Sequence, residues 1–487
     1  MNKWFFAVMA LLYIGCPGAA NAQEVLYSPY EKFELRSGDF SVVGKVNNRL
    51  YTYRAVAESY FLDVFDDSMN RTATVILDFF PRKIYETRFI PAGDQIVVLY
   101  QALEGSKVQQ YAALLDENGR LVKRPVPLAS VGTGMFGQRK DYYSSAVSED
   151  KQTILVYHMD AKGRQLSFSG IWIDNQVNVR KRSQAVYEAD NDVAPGDVLL
   201  DNSGKVYLPL YTPVGTRGYS DQLWVLSLEE GGRSFLPAEF PLGDRFAAGS
   251  YMKLDGVRSR IYIGGFYSEK KNGNYDGVLF GYYDMAAQRM QQTRLIAFDE
   301  RLRNATGEKN RKKAFNDYQV RHLIVKNDGG FVLIAESYFM TTRNTGYAPG
   351  WGYYSMYAYG PFMTPAVREY HYDDIMALSY NAEGNRQWQS FIRKDQYSQE
   401  DGGVFSSFAL LNTGGSLGFL FNDYNASRSR IQLASIDGEG KISMRSLAAG
   451  GSDDPDWLPR SGRQVAAREM VIPCLRKRQI CFAKIVF

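Results

Sequence analysis

Apolar residues along this chain come in short runs, some alternating with polar positions and some unbroken, with tight-turn strings between them. Period-two alternation marks half-buried strands, and short unbroken apolar runs bounded by turns mark strands covered on both faces. The punctuating strings share a form, Asp or Asn followed three residues later by Gly. They are LLDENGRLVK (114–123), LLDNSGKVYL (199–208), SYNAEGNRQW (379–388) and SIDGEGKISM (435–444). In each, the acidic or amide side chain opens a turn and Gly takes the positive-φ position between two strands. KNDGGFVLI (326–334) and NTGGSLGFLF (412–421) are related hairpins.

One stretch predicts a complete unit. YQVRHLIVK (318–326), FVLIAESYF (331–339), DIMALSY (374–380) and RQWQSFIRK (386–394) read as four antiparallel strands in a meander. Similar units begin near residues 40, 85, 140, 195, 247, 318 and 403, and repetition at this period signals a repeat architecture. The tail MVIPCLRKRQICFAKIVF (470–487) supplies two further strands, and VLYSPYEKFEL (25–35) the outer strand or strands beside them. The expected fold is an all-β, single β-propeller of four-stranded antiparallel blades, its ring closed by N- and C-terminal strands. Eight blades follow if head and tail form one, seven if two units merge. Only 299–315 departs from β patterning, and it reads as a charged surface loop with a turn of helix.

The N-terminus adds a compartment. Lys3, the apolar run Trp4 to Gly15 and the small residues Ala20-Asn21-Ala22 have the layout of a secretory signal peptide. The expected organisation is therefore a leader over 1–22 and a propeller over 23–487 with a long insertion, 340–373. The mature chain is expected in the periplasm, on the outer surface or secreted, as a monomer. The alternative is a lipoprotein through Cys16, although Tyr13 stands where a Leu-like residue is preferred. No later stretch is long and apolar enough to be a membrane-spanning helix. Cys474 and Cys481 flank a four-residue turn and fall opposite each other. In an oxidising compartment the pair is expected to close as a disulfide contributing ~2–3 kcal/mol.

Composition narrows the function classes. A formal net charge of +4 over 487 residues argues against nucleic-acid binding. The basic clusters 180–182, 311–313 and 476–478 read as solvated turns. Aromatic residues make up 14% of the chain, as suits packed β faces and sugar- or protein-binding surfaces alike. In a four-stranded blade the second-to-third loops and the blade-to-blade connections share one face, here called the connection face. The first-to-second and third-to-fourth hairpins share the other, the hairpin face. The insertion 340–373 belongs to the connection face and crowds Tyr347, Trp351, Tyr353, Tyr354, Tyr357, Tyr359 and Phe362 together. Such aromatics either anchor a glycan or an envelope protein or fold back to plug the channel.

Candidate chemistry is sparse. The string AESYF occurs twice, carrying Glu58 and Glu336 at the expected end of a second strand, and Asp373 and Asp374 precede a third strand. Glu58, Glu336 and Asp374 are the acid–base candidates for a carbohydrate-active enzyme, a glycoside hydrolase or lyase. Ordinary hydrogen bonding between blades is the simpler use of these carboxylates. The three histidines, His158, His322 and His371, have no metal-ligand spacing. NGNYDG (272–277) reads as an ordinary turn rather than a calcium loop. Nucleotide, dinucleotide and nucleophile-elbow motifs are absent, so neither metal nor cofactor is expected. SYNAEGNRQW is similar to the Asp-box of sialidase-like propellers, but it has an extra residue before Gly384 and Asn381 in place of Asp. That activity does not carry over.

KNDGGFVLIAESYF (326–339), DIMALSYNAEGNRQWQSFIRKDQYS (374–398) and SSFALLNTGGSLGFLFNDYN (406–425) together resemble uncharacterised exported proteins of Bacteroidota, over about 318–445. The resemblance implies an exported, propeller-like protein and no activity. The leading expectation is a non-catalytic binding or scaffolding propeller of the cell envelope.

Overall fold

The computed structural model describes residues 24–35, 37–132, 142–307, 310–344, 366–425, 428–449 and 454–487. The expected leader and Tyr347, Trp351, Tyr353, Tyr354, Tyr357, Tyr359 and Phe362 lie outside the described residues. Among the described residues the strands form seven antiparallel sheets. The nine-stranded sheet divides where the single pair Ser220–Ala247 joins two meanders. Each meander is a blade, and the protein is a β-propeller of eight blades.

The first strands of blades 1 to 7 begin at Asp39, Ile84, Ser144, Ala194, Phe246, Tyr318 and Ala409, within a few residues of the sequence expectation. Blade 8 joins the two chain ends. Asp456–Trp457 and Arg463–Ala466 form its inner edge, followed by Glu469–Arg476 and Gln479–Val486. Glu24–Tyr27 and Glu31–Lys32 add its outermost edge, with Val25 opposite Ile485 and Glu31 opposite Ile480. The seven-blade alternative is set aside.

The core explains why the apolar runs are so often unbroken. Each hydrophobic cluster fills the space between two consecutive blades, and together they complete the ring. A second strand is covered on both faces. In Phe331–Asn344, Leu333 and Ala335 pack toward blade 5, while Val332 and Ile334 pack toward blade 7. Side chains alternate across the strand, so both registers must be apolar where both faces are covered. Full burial of one such aliphatic side chain contributes about 1.5–3 kcal/mol. The ring's last seam joins Val42, Leu50 and Phe65 of blade 1 to Val471, Ile480 and Phe482 of blade 8.

The Asp/Asn turns sit on the hairpin face, as expected. At 116–120 the Asp116 carboxylate accepts from the Asn118 and Arg120 amides, both at 2.8 Å, and Gly119 has φ +75°. The same geometry occurs at Asp201 and Asp437. It also occurs at Asp66 and Asp174, where Met69 (φ 63°) and Val177 (φ 61°) replace the glycine. The turns pack onto the preceding blade, as where Trp172 Nε1 donates to Gly204 O at 2.7 Å.

Three expectations need correction. Cys474 and Cys481 are directly opposite, as read, but both are free thiols. They are sealed between blades 7 and 8, and Cys474 Sγ turns along its own strand to donate to Ile472 O at 3.4 Å. Burial holds the Cys474 thiol well above its ordinary pKa, in its protonated form. Secondly, part of the 340–373 insertion is strand. Phe331–Asn344 and Ala366–Tyr380 continue beyond the blade as a two-stranded ribbon, with Asn344 opposite Ala366. Gln396–Gln399 adds a third strand to it, and Asp373 and Asp374 lie within the third strand of blade 6 rather than before it. Thirdly, the two AESYF strings are not equivalent. In blade 1 the second strand ends at Val56, and Ala57–Glu58 is a two-residue turn with φ of 48° and 64°. In blade 6 the whole string lies inside the second strand.

Candidate functional site

Each of the three candidate carboxylates is held in an ion pair. Glu336 is fully buried, with Arg321 Nε 3.1 Å away, Lys394 Nζ 2.9 Å away and Ser407 Oγ donating at 2.7 Å. Lys394 and Ser407 come from the connection between blades 6 and 7. Glu336 thus fastens that connection to a second strand. Burial lowers the pKa of Lys394, and Glu336 opposes the shift. Glu58 is exposed and pairs at 2.5 Å with Arg82, from the connection between blades 1 and 2. Asp374 pairs with Arg393, whose guanidinium also donates to Thr306 O at 2.8 Å beyond the helix Glu300–Ala305. Blades 7 and 8 stand between Glu58 and Glu336, so the structure does not join them in one acid–base site.

The ribbon carries the aromatics that are described. Tyr338 and Tyr372 lie 4.7 Å apart, and Arg460 donates to the Tyr372 hydroxyl at 2.8 Å. Phe339 stacks on His371 at 4.4 Å, with Tyr397 5.1 Å further on. Tyr397 OH donates to Glu369 Oε1 at 2.9 Å. His322 lies in the blade 6 inner strand near Phe408, and burial lowers its pKa to about 4. Among the described residues no group of three His, Cys, Asp or Glu side chains is placed to hold a metal ion.

The inner strands hold a site that the sequence reading passed over. In blade 4 the innermost strand is broken into Ala194–Pro195 and Leu199–Leu200. A Cβ at Gly196, in the break, would meet Pro209 Cγ at 2.6 Å, so only glycine lets the chain press this closely on the second strand. The next residue, Asp197, lines two cavities at once. One, of about 270 Å³, spans blades 2 and 3 and is walled by Glu86, Arg88, Gln101, Ser145 and Tyr157. The other, of about 490 Å³, lies between blades 4 and 5 and is walled by Tyr211, Ser220, Ser250 and Tyr251. A blade 4 carboxylate reaching the wall of blades 2 and 3 places both cavities on the central channel.

Charges and hydroxyls converge there. Burial raises the pKa of Tyr157, Tyr211 and Tyr251, and the Asp197 charge adds to all three shifts. Arg88 opposes the shift at Tyr157, so that hydroxyl feels both charges. Tyr211 OH and Ser250 Oγ share a hydrogen bond of 2.8 Å. Arg88 Nη1 donates to Ser145 Oγ at 2.7 Å and to the Ser145 carbonyl. Glu86 accepts from Gln101 Nε2 at 2.8 Å, and Gln101 is itself fixed by the Tyr142 and Tyr143 backbone. The signal in the sequence was Pro195-Gly196-Asp197, a turn string where an innermost strand belongs.

No family model matches the chain, and no curated protein matches it in sequence. Solved structures align at low similarity. Prolyl oligopeptidase B from Galerina marginata, bound to a 25mer macrocyclization substrate, is 11% identical with a TM-score of 0.42. The alignment covers 90% of this chain and 55% of that one, so the chain spans little more than half of that enzyme's length. The polysaccharide lyase Uly1 is 12% identical, with 82% of this chain and 89% of that chain covered and a TM-score of 0.42. The dihydro-heme d1 dehydrogenase NirN, in complex with DHE, is 12% identical over 90% of this chain and 69% of its own, at a TM-score of 0.37.

Proposed function

We propose that this protein is a non-catalytic glycan-binding propeller whose ligand lies in the channel against blades 2 to 5. The observation that carries this reading is that Asp197 lines both cavities, with Tyr157 in the wall of one and Tyr211 and Tyr251 in the wall of the other. Among the described residues Asp197 makes no recorded hydrogen bond or ion pair. A carboxylate without internal partners accepts from paired sugar hydroxyls, and tyrosines offer ring area with a polar tip. The cavity sizes suit a short saccharide.

One observation favours a second, enzymatic reading: Glu86 and Asp197 line the same cavity, and paired carboxylates are the equipment of glycoside cleavage. An oligosaccharide array followed by calorimetry, with product analysis of each bound glycan, tests both. Binding without cleavage, weakened at least tenfold in Asp197→Asn, is the expected result. Cleavage products would replace the binding reading with the enzymatic one, and binding unchanged in Asp197→Asn would remove the channel from the account. Export is also proposed, on the leader alone. N-terminal sequencing of the mature protein should start near Gln23, and an intact Met1 would contradict it.

A further inference from the structure

We infer that the channel takes an acidic saccharide, with a uronate carboxylate on Arg88 and ring hydroxyls of the same oligomer on Asp197; this rests on the glycan-binding reading above. Arg88 is open to the cavity rather than folded away, and its recorded hydrogen bonds all run from Nη1 to Ser145. Arg88 lines the cavity, and among the described residues its Nε and Nη2 donors have no hydrogen-bond partner. That pair of donors matches the two oxygens of a carboxylate. Glu86 of the same wall accepts from Gln101, and its charge acts on Arg88 without an ion pair to it among the described residues.

A second cation stands close by. Arg463, from the inner edge of blade 8, reaches across the seam to donate to the Val42 and Val43 carbonyls at 3.2 and 2.9 Å. Burial lowers its pKa and the Arg88 charge lowers it further. An anion bound at Arg88 eases that effect. Tyr157 lines the same cavity as Arg88 and Asp197, so its hydroxyl is available to a ligand that engages both charges. A neutral sugar satisfies the Asp197 end alone. A uronic acid carries vicinal hydroxyls and a carboxylate on one ring and satisfies both.

The test uses the full mature chain and tetramers of galacturonate, glucuronate and mannuronate, each compared with its carboxyl-reduced neutral counterpart. At least one uronate tetramer should bind ten times or more tightly than its reduced form. Arg88→Gln should abolish that preference, bringing uronate and reduced tetramers to the same affinity, and Arg88→Lys should keep part of it. If Arg88→Gln does not fold, the wild-type protein still decides. Its uronate affinity, unlike that for the reduced form, should fall as salt rises from 50 to 500 mM, since surface-accessible charge pairing is screened. Equal binding of acidic and reduced tetramers overturns the acidic specificity and leaves the glycan reading standing. No binding of either form overturns both.

Discussion

Lys394 Nζ lies 2.9 Å from Glu336 Oε1, and the two side chains are 2% and 0% exposed. Arg321 and Ser407 complete the set around the carboxylate, so four residues from the inner strand, the second strand and the connection meet at one buried acid. Removing one member of a buried pair leaves an uncompensated charge, which costs about 3–5 kcal/mol. Glu336→Gln should therefore lower the urea midpoint steeply, and Glu336→Gln with Lys394→Met should recover most of the loss. A single variant as stable as wild type would show that the pair holds nothing together.

Asp373 and His322 give stability opposite pH dependences. Burial, with Asp395 and Asp374 adding and Lys394 and His371 opposing, raises Asp373 from 3.8 to about 6. Its folded value exceeds its unfolded one, so its stabilisation is full below about pH 3.8 and is lost as pH rises through 6. His322 is lowered from 6.5 to about 4, mainly by burial. Its stabilisation is full above pH 6.5 and is lost as pH falls through 4. The two partly cancel in the wild type. On going from pH 6.5 to 4.5, Asp373→Asn should lose more stability than wild type and His322→Gln less, measured as urea midpoints. Identical pH profiles for all three proteins would contradict both assignments.

Two glycines with the same φ separate strain from packing. Gly440 and Gly414 both have φ +84°, but a Cβ at Gly440 meets Trp388 Cγ at 2.7 Å, while one at Gly414 meets nothing within 4 Å. Trp388 is also fixed by its Nε1 bond to Gly438 O at 3.0 Å. Gly414→Ala should cost roughly 1 kcal/mol from the positive φ alone, and Gly440→Ala clearly more. Equal melting temperatures for the two variants would mean that blade 6 gives way at Trp388.

The free thiols have a direct readout. Cys474 and Cys481 are both fully buried, so an aromatic disulfide reagent should label neither in the folded protein and both after denaturation. Failure to label the denatured chain without prior reduction would mean that the pair is oxidised after all.

Much of the fold was legible because its cause is local. Asp116, Asp201, Asn381 and Asp437 mark their turns through their own side-chain hydrogen bonds, and the unbroken run at 331–335 reports burial on two faces. The turns at Asp66 and Asp174 went unread because Met69 and Val177 hold the left-handed position that Gly usually takes. Glu336 was legible as a residue but not as a role. Its partners Lys394 and Ser407 are 58 and 71 positions further along the chain, and a carboxylate in an apolar strand reads the same whether it is catalytic or ion-paired. The channel wall was least legible. Arg88, Tyr157, Asp197 and Tyr251 come from four different blades, and ring closure rather than any motif brings them together.

The most direct test of the channel is a crystal of the mature protein soaked with the tightest-binding uronate tetramer. Ligand density is expected in the two cavities that share Asp197, with a carboxylate on Arg88 and hydroxyls within hydrogen-bond distance of Asp197. Density seated elsewhere, such as on the Phe339–His371–Tyr397 face of the ribbon, with the channel empty, would contradict the account.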